Sequence, residues 1–282
     1  MASTLTPSTA TVTLNDGNHM PVLGLGVYLA QNGGEAEQAV LWALQQGYRL
    51  IDTAKIYENE EDVGKAVRGS GIPRDQIFVT TKLATSDHGK ENTIQACQES
   101  LRKLDLDYVD LYLIHSPSGG KILETWGAMI ELKKRGLAKS IGVSNFNVHH
   151  LKPLKEAYPD YIPAVNQIEL SPYLTFDEVV AYCQKEHIAL EAYCPLAKGF
   201  KLEDPLLLSI AAKYKKSAAQ LLIRWSIQRG FVCIPKSARK DKIIENSNVF
   251  DFEISAEDMT TLNGLNENFI TDWEVIFSPW SP

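Results

Sequence analysis

The sequence predicts an α/β protein, a (β/α)8 TIM barrel with an N-terminal β-hairpin cap. Two observations carry this reading. Short apolar strand-like runs alternate with amphipathic helix-like runs through most of the 282 residues, the pattern of a parallel sheet with helices outside it. Polar residues also stand at or just past the C-terminal ends of three successive strand-like runs: Asp52 with Tyr57 after a short connector, Lys82, and His115. Chemistry placed on consecutive strand tips is how such a barrel builds an active site.

The elements follow in order. Residues 11–14, the turn Asn15-Asp16-Gly17-Asn18 and residues 22–25 predict a hairpin. A helix over 35–46 carries Ala36, Val40, Leu41 and Leu44 on one face and stops at Gly47 before a strand over 48–52. Helix 60–67 leads to strand 77–82, helix 92–104 to strand 109–114, and helix 122–135, ended by Gly136, to strand 140–143. Helix 148–156 leads to strand 164–169 and helix 176–187 to strand 189–193. Helices over 205–213 and 218–228 precede strand 231–235, a short helix over 240–246 precedes strand 249–251, and a last helix spans 256–262. The strands after the hairpin number eight, which favours a closed barrel; an open doubly wound sheet is the alternative. No repeat, low-complexity block or linker interrupts the chain, so residues 1–282 read as a single domain, with 1–10 a loose tail.

Composition narrows the function. Apolar residues make up 44% of the chain, enough for a substantial core, and the net charge of −7 with mixed signs argues against general nucleic-acid binding. Cys97, Cys183, Cys194 and Cys233 form no CxxC pair or metal spacing and suit a reducing, cytoplasmic setting. The N-terminus lacks the features of a signal or transit peptide, and no apolar run approaches the ~18 residues that span a bilayer. The absence of HxH or a carboxylate–histidine cluster weakens a metal site. The expected partner is a small molecule rather than nucleic acid or membrane, and the expected state a monomer or weak homodimer.

In VDLYLIH, Val109, Leu111 and Leu113 share one face, Asp110, Tyr112 and Ile114 the other, and His115 emerges at the tip. Each of the four polar residues alone has an ordinary reading: a bonded histidine, a solvated lysine, a packing tyrosine, a capping aspartate. Together a tyrosine, a lysine, a carboxylate and an imidazole form a proton-delivery group suited to carbonyl reduction.

Several ordered segments make the pattern more specific: MPVLGLGVY at 20–28, Asp52-Thr53-Ala54 with Tyr57, Asn59 and Glu60, Thr81-Lys82-Leu83, Leu111-Tyr112-Leu113-Ile114-His115, Gly142-Val143-Ser144-Asn145-Phe146, Asn166-Gln167, Ile234-Pro235-Lys236-Ser237 and VFDFEIS at 249–255. Over nearly the whole chain they resemble the aldo-keto reductase family. The resemblance implies a (β/α)8 barrel and metal-free, NADPH-dependent reduction of aldehydes and ketones, an alcohol dehydrogenase (NADP+)-type oxidoreductase. In it Tyr57 is the general acid. A free phenol has a pKa near 10, and the Lys82 ammonium is expected to lower it. Asp52 holds Lys82, and His115 orients the carbonyl and stabilises the developing oxyanion. Relatives that reduce steroid carbon–carbon double bonds carry a glutamic acid at the position of His115, so the imidazole favours carbonyl reduction.

The cofactor site does not follow a Rossmann fingerprint: the 24–29 segment lacks the third glycine and the strand–helix setting and reads as a tight turn into the barrel. Phosphate binding is expected after the seventh and eighth strands, where Lys236, Arg239, Lys240 and Lys242 cluster at the start of a short helix. The resemblance implies that Lys236 and Ser237 meet the 2′-phosphate and Glu245 and Asn246 the adenine, with Ala238 also among the cofactor-binding residues. It places Lys242 where the family usually has arginine, so the bidentate fork is lost and Arg239, one turn earlier, is the candidate to compensate. It further implies that Ser144, Asn145 and Gln167 bind the carboxamide and Tyr193 stacks on the nicotinamide, with Gly26, Val27, Pro195 and Leu196 completing the contacts.

For the substrate, Ala84 and Ser116 stand where many relatives carry tryptophan, which implies a wider or more polar pocket. Tyr28, Trp273, Phe277 and Trp280 are the candidate walls, and the hydrophilic SDHGKEN segment suggests an open rim. A broad-range reductase is expected, with keto esters or sugar-derived carbonyls as candidate substrates. The alternatives are a metal-dependent hydrolase, an aldolase using Lys82 as a Schiff base, and a slow NADPH-sensing or scaffold protein of reductase fold.

Overall fold

The structure, a computed structural model, describes residues 6, 7 and 9–282. An antiparallel hairpin, β1 (Thr11–Thr13) with β2 (His19–Pro21), precedes eight parallel strands. In chain order these are β3 (Gly24–Gly26), β4 (Leu50–Asp52), β5 (Phe78–Leu83), β6 (Val109–Ile114), β7 (Ala138–Ser144), β8 (Val165–Glu169), β9 (Ala189–Tyr193) and β10 (Val232–Cys233). Each strand pairs with the next. The seam between β3 and β10 is closed by the Cys233 amide donating to Val22 O at 2.9 Å and the Gly26 amide donating to Pro235 O at 3.2 Å. The sheet is therefore a TIM barrel.

Helices α1 (Glu35–Gln45), α2 (Glu60–Gly69), α3 (Lys90–Leu104), α4 (Ile122–Lys134), α5 (Val148–Ala157), α6 (Asp177–Lys185), α7 (Pro205–Lys213), α8 (Ala218–Gln228), α9 (Lys240–Ser247) and α10 (Ala256–Asn263) fall where the periodicity places them. Their starts have local causes. Asp204 caps α7 ahead of Pro205, and Ser217 and Gln220 form a reciprocal capping box on α8. Gly64 in α2 is required for packing, because a Cβ there would lie 1.9 Å from Leu104 O.

Two apolar layers hold the barrel. Inside, Leu50, Phe78, Leu111, Leu113, Val165 and Val232 pack with Leu14 and Met20, so the hairpin plugs the barrel floor. Outside, Ile51, Val79, Tyr112 and Ile114 pack with Val40, Val63, Cys97 and Met129 of the helices. Burial of each such large side chain stabilises by roughly 1.5–3 kcal/mol. Among the described residues no helix is long and apolar enough to cross a membrane.

Three expectations are corrected. The second hairpin strand is His19–Pro21, and the 22–25 run feeds the first barrel strand. Two glycines in a three-residue strand conceal it, since glycine is a poor strand former. Residues 249–251 form no strand: β3 already fills the edge of β10, and Val249 is instead buried in a turn after α9. Of the expected loose tail, residues 1–5 and 8 lie outside the described residues, while Ala10 is buried and its carbonyl accepts from the Val22 amide at 3.0 Å.

Candidate active site

Asp52 ends β4 and Lys82 lies near the end of β5, where adjacent parallel register brings them together. Lys82 Nζ donates to Asp52 Oδ1 at 2.6 Å, to Thr53 O at 2.9 Å and to the Tyr57 hydroxyl at 3.4 Å. Three acceptors match the three ammonium hydrogens. Tyr57 ends the 3-10 turn Lys55–Tyr57. That turn is pinned by Asn59, which accepts from Thr53 Oγ1 at 2.7 Å and donates through Nδ2 to Val27 O and Ala30 O at 2.9 Å. His115 follows β6, and its carbonyl accepts from Asn145 Nδ2 at 3.0 Å. The Tyr57 and His115 rings meet edge-on, 5.6 Å between centroids. The four predicted residues are thus brought together.

Electrostatics correct one expectation. Burial, then the Asp52 charge, pushes the Tyr57 phenol well above its ordinary value, the opposite of the lowering expected from Lys82. Burial is the main cause, and the Lys82 ammonium, 0.8 Å closer to Asp52 than to the phenol (3.4 − 2.6 Å), does not offset it. Burial, then the Lys82 charge, holds His115 well below the usual imidazole range, so it is neutral at pH 7. Its Nδ1 is buried without a hydrogen-bond partner.

Tyr57 and His115 face a cavity of about 460 Å³ at the strand tips. Gly26, Tyr28, Ser144, Asn145, Gln167, Tyr193, Pro195, Leu196, Lys236 and Trp273 of the predicted set line it. Tyr28 packs on Tyr57 at 5.0 Å and Trp273 on His115 at 5.2 Å between ring centroids. The other candidate walls lie elsewhere. Ala84 is buried at the end of β5, Ser116 turns its hydroxyl to Ser118, Phe277 is 57% exposed against Phe176, and Trp280 packs on His150. Val27 is also off the wall, with its amide donated to Asp52 O at 3.1 Å.

The model of the Aldo/keto reductase family matches residues 22–267. The chain belongs to the aldo-keto reductase family. This aldo-keto reductase is 48% identical over 259 residues to the glyoxal reductase of Bacillus subtilis, covering 92% of this chain and 93% of that one. A Brucella melitensis aldo/keto reductase structure superposes with a TM-score of 0.89 at 50% identity, covering 93% of this chain and 100% of the other. A Bombyx mori aldo-keto reductase, solved in complex with NADP, matches at TM-score 0.89 and 38% identity over 96% and 97% of the two chains.

In this reductase the remaining predicted cofactor residues lie beyond the cavity, on the loop after β10 and on α9. Ser237 Oγ accepts from the Arg239 amide, Arg239 puts its fork on Asp241, and Lys242 pairs with Glu245 at 2.6 Å. Glu245 also accepts from Ser217 Oγ at 2.6 Å, and Asn246 is buried. The donor set suits a nicotinamide dinucleotide: an aromatic face at Tyr193, side-chain amides at Asn145 and Gln167, and a cation, Lys236, at the rim.

Sequence reading missed part of the site. Glu169, at the tip of β8, accepts from the Thr271 and Asp272 amides and straps the C-terminal segment over the barrel. Asp272 then pairs with Lys198 at 2.8 Å, and both line the cavity. Glu191, at the middle of β9, is wholly buried. A lone acid inside an apolar strand was the available signal.

Proposed function

We propose that this aldo-keto reductase reduces aldehydes and ketones to alcohols with NADPH, Tyr57 serving as general acid, in the manner of an alcohol dehydrogenase (NADP+). The observation that carries the reading is the Tyr57 hydroxyl, hydrogen-bonded by Lys82 and flanked by the His115 ring at an apolar-walled cavity. When bound, the nicotinamide supplies a hydride to the carbonyl carbon. Tyr57 passes its proton to the carbonyl oxygen as negative charge develops there. Lys82 donates to the phenolate left behind, and Asp52 keeps Lys82 in place. Neutral His115 has one N–H to give, and it directs the carbonyl oxygen toward Tyr57.

Asn145 and Gln167 hold the carboxamide and Tyr193 the ring face, while Lys236, Ser237, Lys242 and Glu245 take the adenosine end. Tyr28 and Trp273 supply aromatic walls of a cavity that admits varied small carbonyls. The glyoxal reductase likeness adds α-dicarbonyls to keto esters and sugar-derived carbonyls as substrates. The four free cysteines fit a cytoplasmic enzyme acting as one domain. The test follows NADPH absorbance with glyoxal-type dicarbonyls, aldehydes, α-keto esters and sugars, with NADH in parallel. NADPH oxidation that depends on a carbonyl is expected; NADPH binding without turnover of any of them would overturn the reading in favour of a sensing protein.

A further inference from the structure

Beneath the cavity floor a second carboxyl group is tied to the proton-delivery group. Gln167 Nε2 donates one hydrogen to Asp52 Oδ2 at 2.8 Å and the other to Glu191 Oε2 at 2.7 Å. An oxygen in that position would face the Asp52 carboxylate, so Asp52 fixes which end of the amide points inward. Gln167 Oε1 is then the end left for the cavity that the residue lines. We propose that Glu191 is a positioning residue that locks the Gln167 amide in this orientation and, through it, steadies the Asp52–Lys82 pair. The inference rests on the carbonyl-reductase reading and adds to it a residue that touches neither substrate nor cofactor.

The surroundings of Glu191 define its state. Asp52 on β4 repels its negative charge and Lys82 on β5 attracts it; Gln167 on β8 donates to it, and Cys233 lies near it on β10. One ammonium serves two carboxyl groups, and Lys82 is in contact with Asp52. Glu191 Oε1 is buried with no partner, and a carboxylic acid leaves less unpaired charge there than a carboxylate. Burial, then the Asp52 charge, accordingly pushes Glu191 up to about 8. At neutral pH Glu191 holds a proton, the group carries one negative and one positive charge, and Gln167 stays seated between the two carboxyl groups.

The test compares wild type with Glu191→Leu, which removes the acceptor at similar volume, and Glu191→Gln, which keeps an acceptor but does not titrate. NADPH affinity from nicotinamide fluorescence and kcat are measured on protein shown to be folded by circular dichroism. Glu191→Leu is expected to lose about tenfold in each, the equivalent of one hydrogen bond, and Glu191→Gln to recover most of that loss. A folded Glu191→Leu enzyme with both values within about threefold of wild type would overturn the proposal. If Glu191→Leu does not fold, the Gln167 side-chain NH2 signals of the cofactor-free protein decide, identified by their absence in Gln167→Met. They are expected to move with pH through about 8 in wild type and not in Glu191→Gln; superimposable titrations would sink the idea. This last readout needs no turnover, so it separates failure of the inference from failure of the reductase reading.

Discussion

Lys82 sits 2.6 Å from Asp52 and reaches Tyr57 only at 3.4 Å. The ammonium is paired with the carboxylate, and burial, then the Asp52 charge, raises the phenol well above the ordinary tyrosine range. Tyr57→Phe keeps the ring and its packing against Tyr28 and His115 but removes the proton. Carbonyl reduction is expected to fall by roughly 10²–10⁴-fold, with NADPH affinity little changed. Stopped-flow turnover alongside fluorescence titration measures both, and near-normal turnover would refute the assignment.

Breaking the ion pair from the lysine side strands a buried carboxylate. Lys82→Met is expected to destabilise the protein by about 3–5 kcal/mol and to abolish turnover, while the Lys82→Met/Asp52→Asn double variant regains part of the stability. Chemical denaturation of these two variants, Asp52→Asn and wild type forms the cycle; additive losses would show that the pair is not coupled.

His115 and Glu191 push stability in opposite directions with pH. His115 is depressed in the fold, so below about pH 6.5 the unfolded chain binds a proton that the native state refuses. Stability therefore rises with pH through that region and is lost as pH falls. Glu191 is raised to about 8 in the fold, so between its unfolded value of 4.5 and about 8 the native state holds the extra proton and stability falls as pH rises. Between about pH 5 and 6.5 the two contributions oppose each other, and from about 6.5 to 8 that of Glu191 stands alone, so melting curves should show stability falling with pH already on the acid side in His115→Asn and no fall between about 6.5 and 8 in Glu191→Gln. Unchanged slopes would mean that neither group titrates as its burial dictates.

Lys242 and Arg239 both have local carboxylate partners, Glu245 at 2.6 Å and Asp241 at 2.7 Å. The Arg239 fork rests on Asp241 in an exposed pair. Lys242→Arg restores a bidentate donor, and we expect it to raise the NADPH-over-NADH ratio of kcat/KM by about three- to tenfold. Paired assays with the two cofactors check this; an unchanged or lowered ratio would rule the position out as the 2′-phosphate contact.

Much of the barrel was legible along the chain. Strands such as 109–114 and 189–193 and helices such as Pro205–Lys213 and Ala218–Gln228 stand as read. Their periodicity and caps are local, and a parallel strand buried on both faces writes itself as an apolar run. The first barrel strand was not legible, because Gly24 and Gly26 carry no strand preference and pair only when the barrel closes on Pro235 and Cys233.

Asp52, Tyr57, Lys82 and His115 could be named from residue type and strand position alone, since strand tips in a closed parallel barrel converge on one rim. Which tyrosine neighbour wins the lysine, which aromatic residues reach the cavity, and that Gln167 bridges Asp52 to Glu191 were decided by tertiary structure. The hydrogen bonds among them, of 2.6 to 3.4 Å, join residues as many as 115 positions apart. Local sequence specifies which groups a strand carries. Only packing specifies how far apart they stand, and Coulomb and desolvation energies follow distance and burial rather than order along the chain.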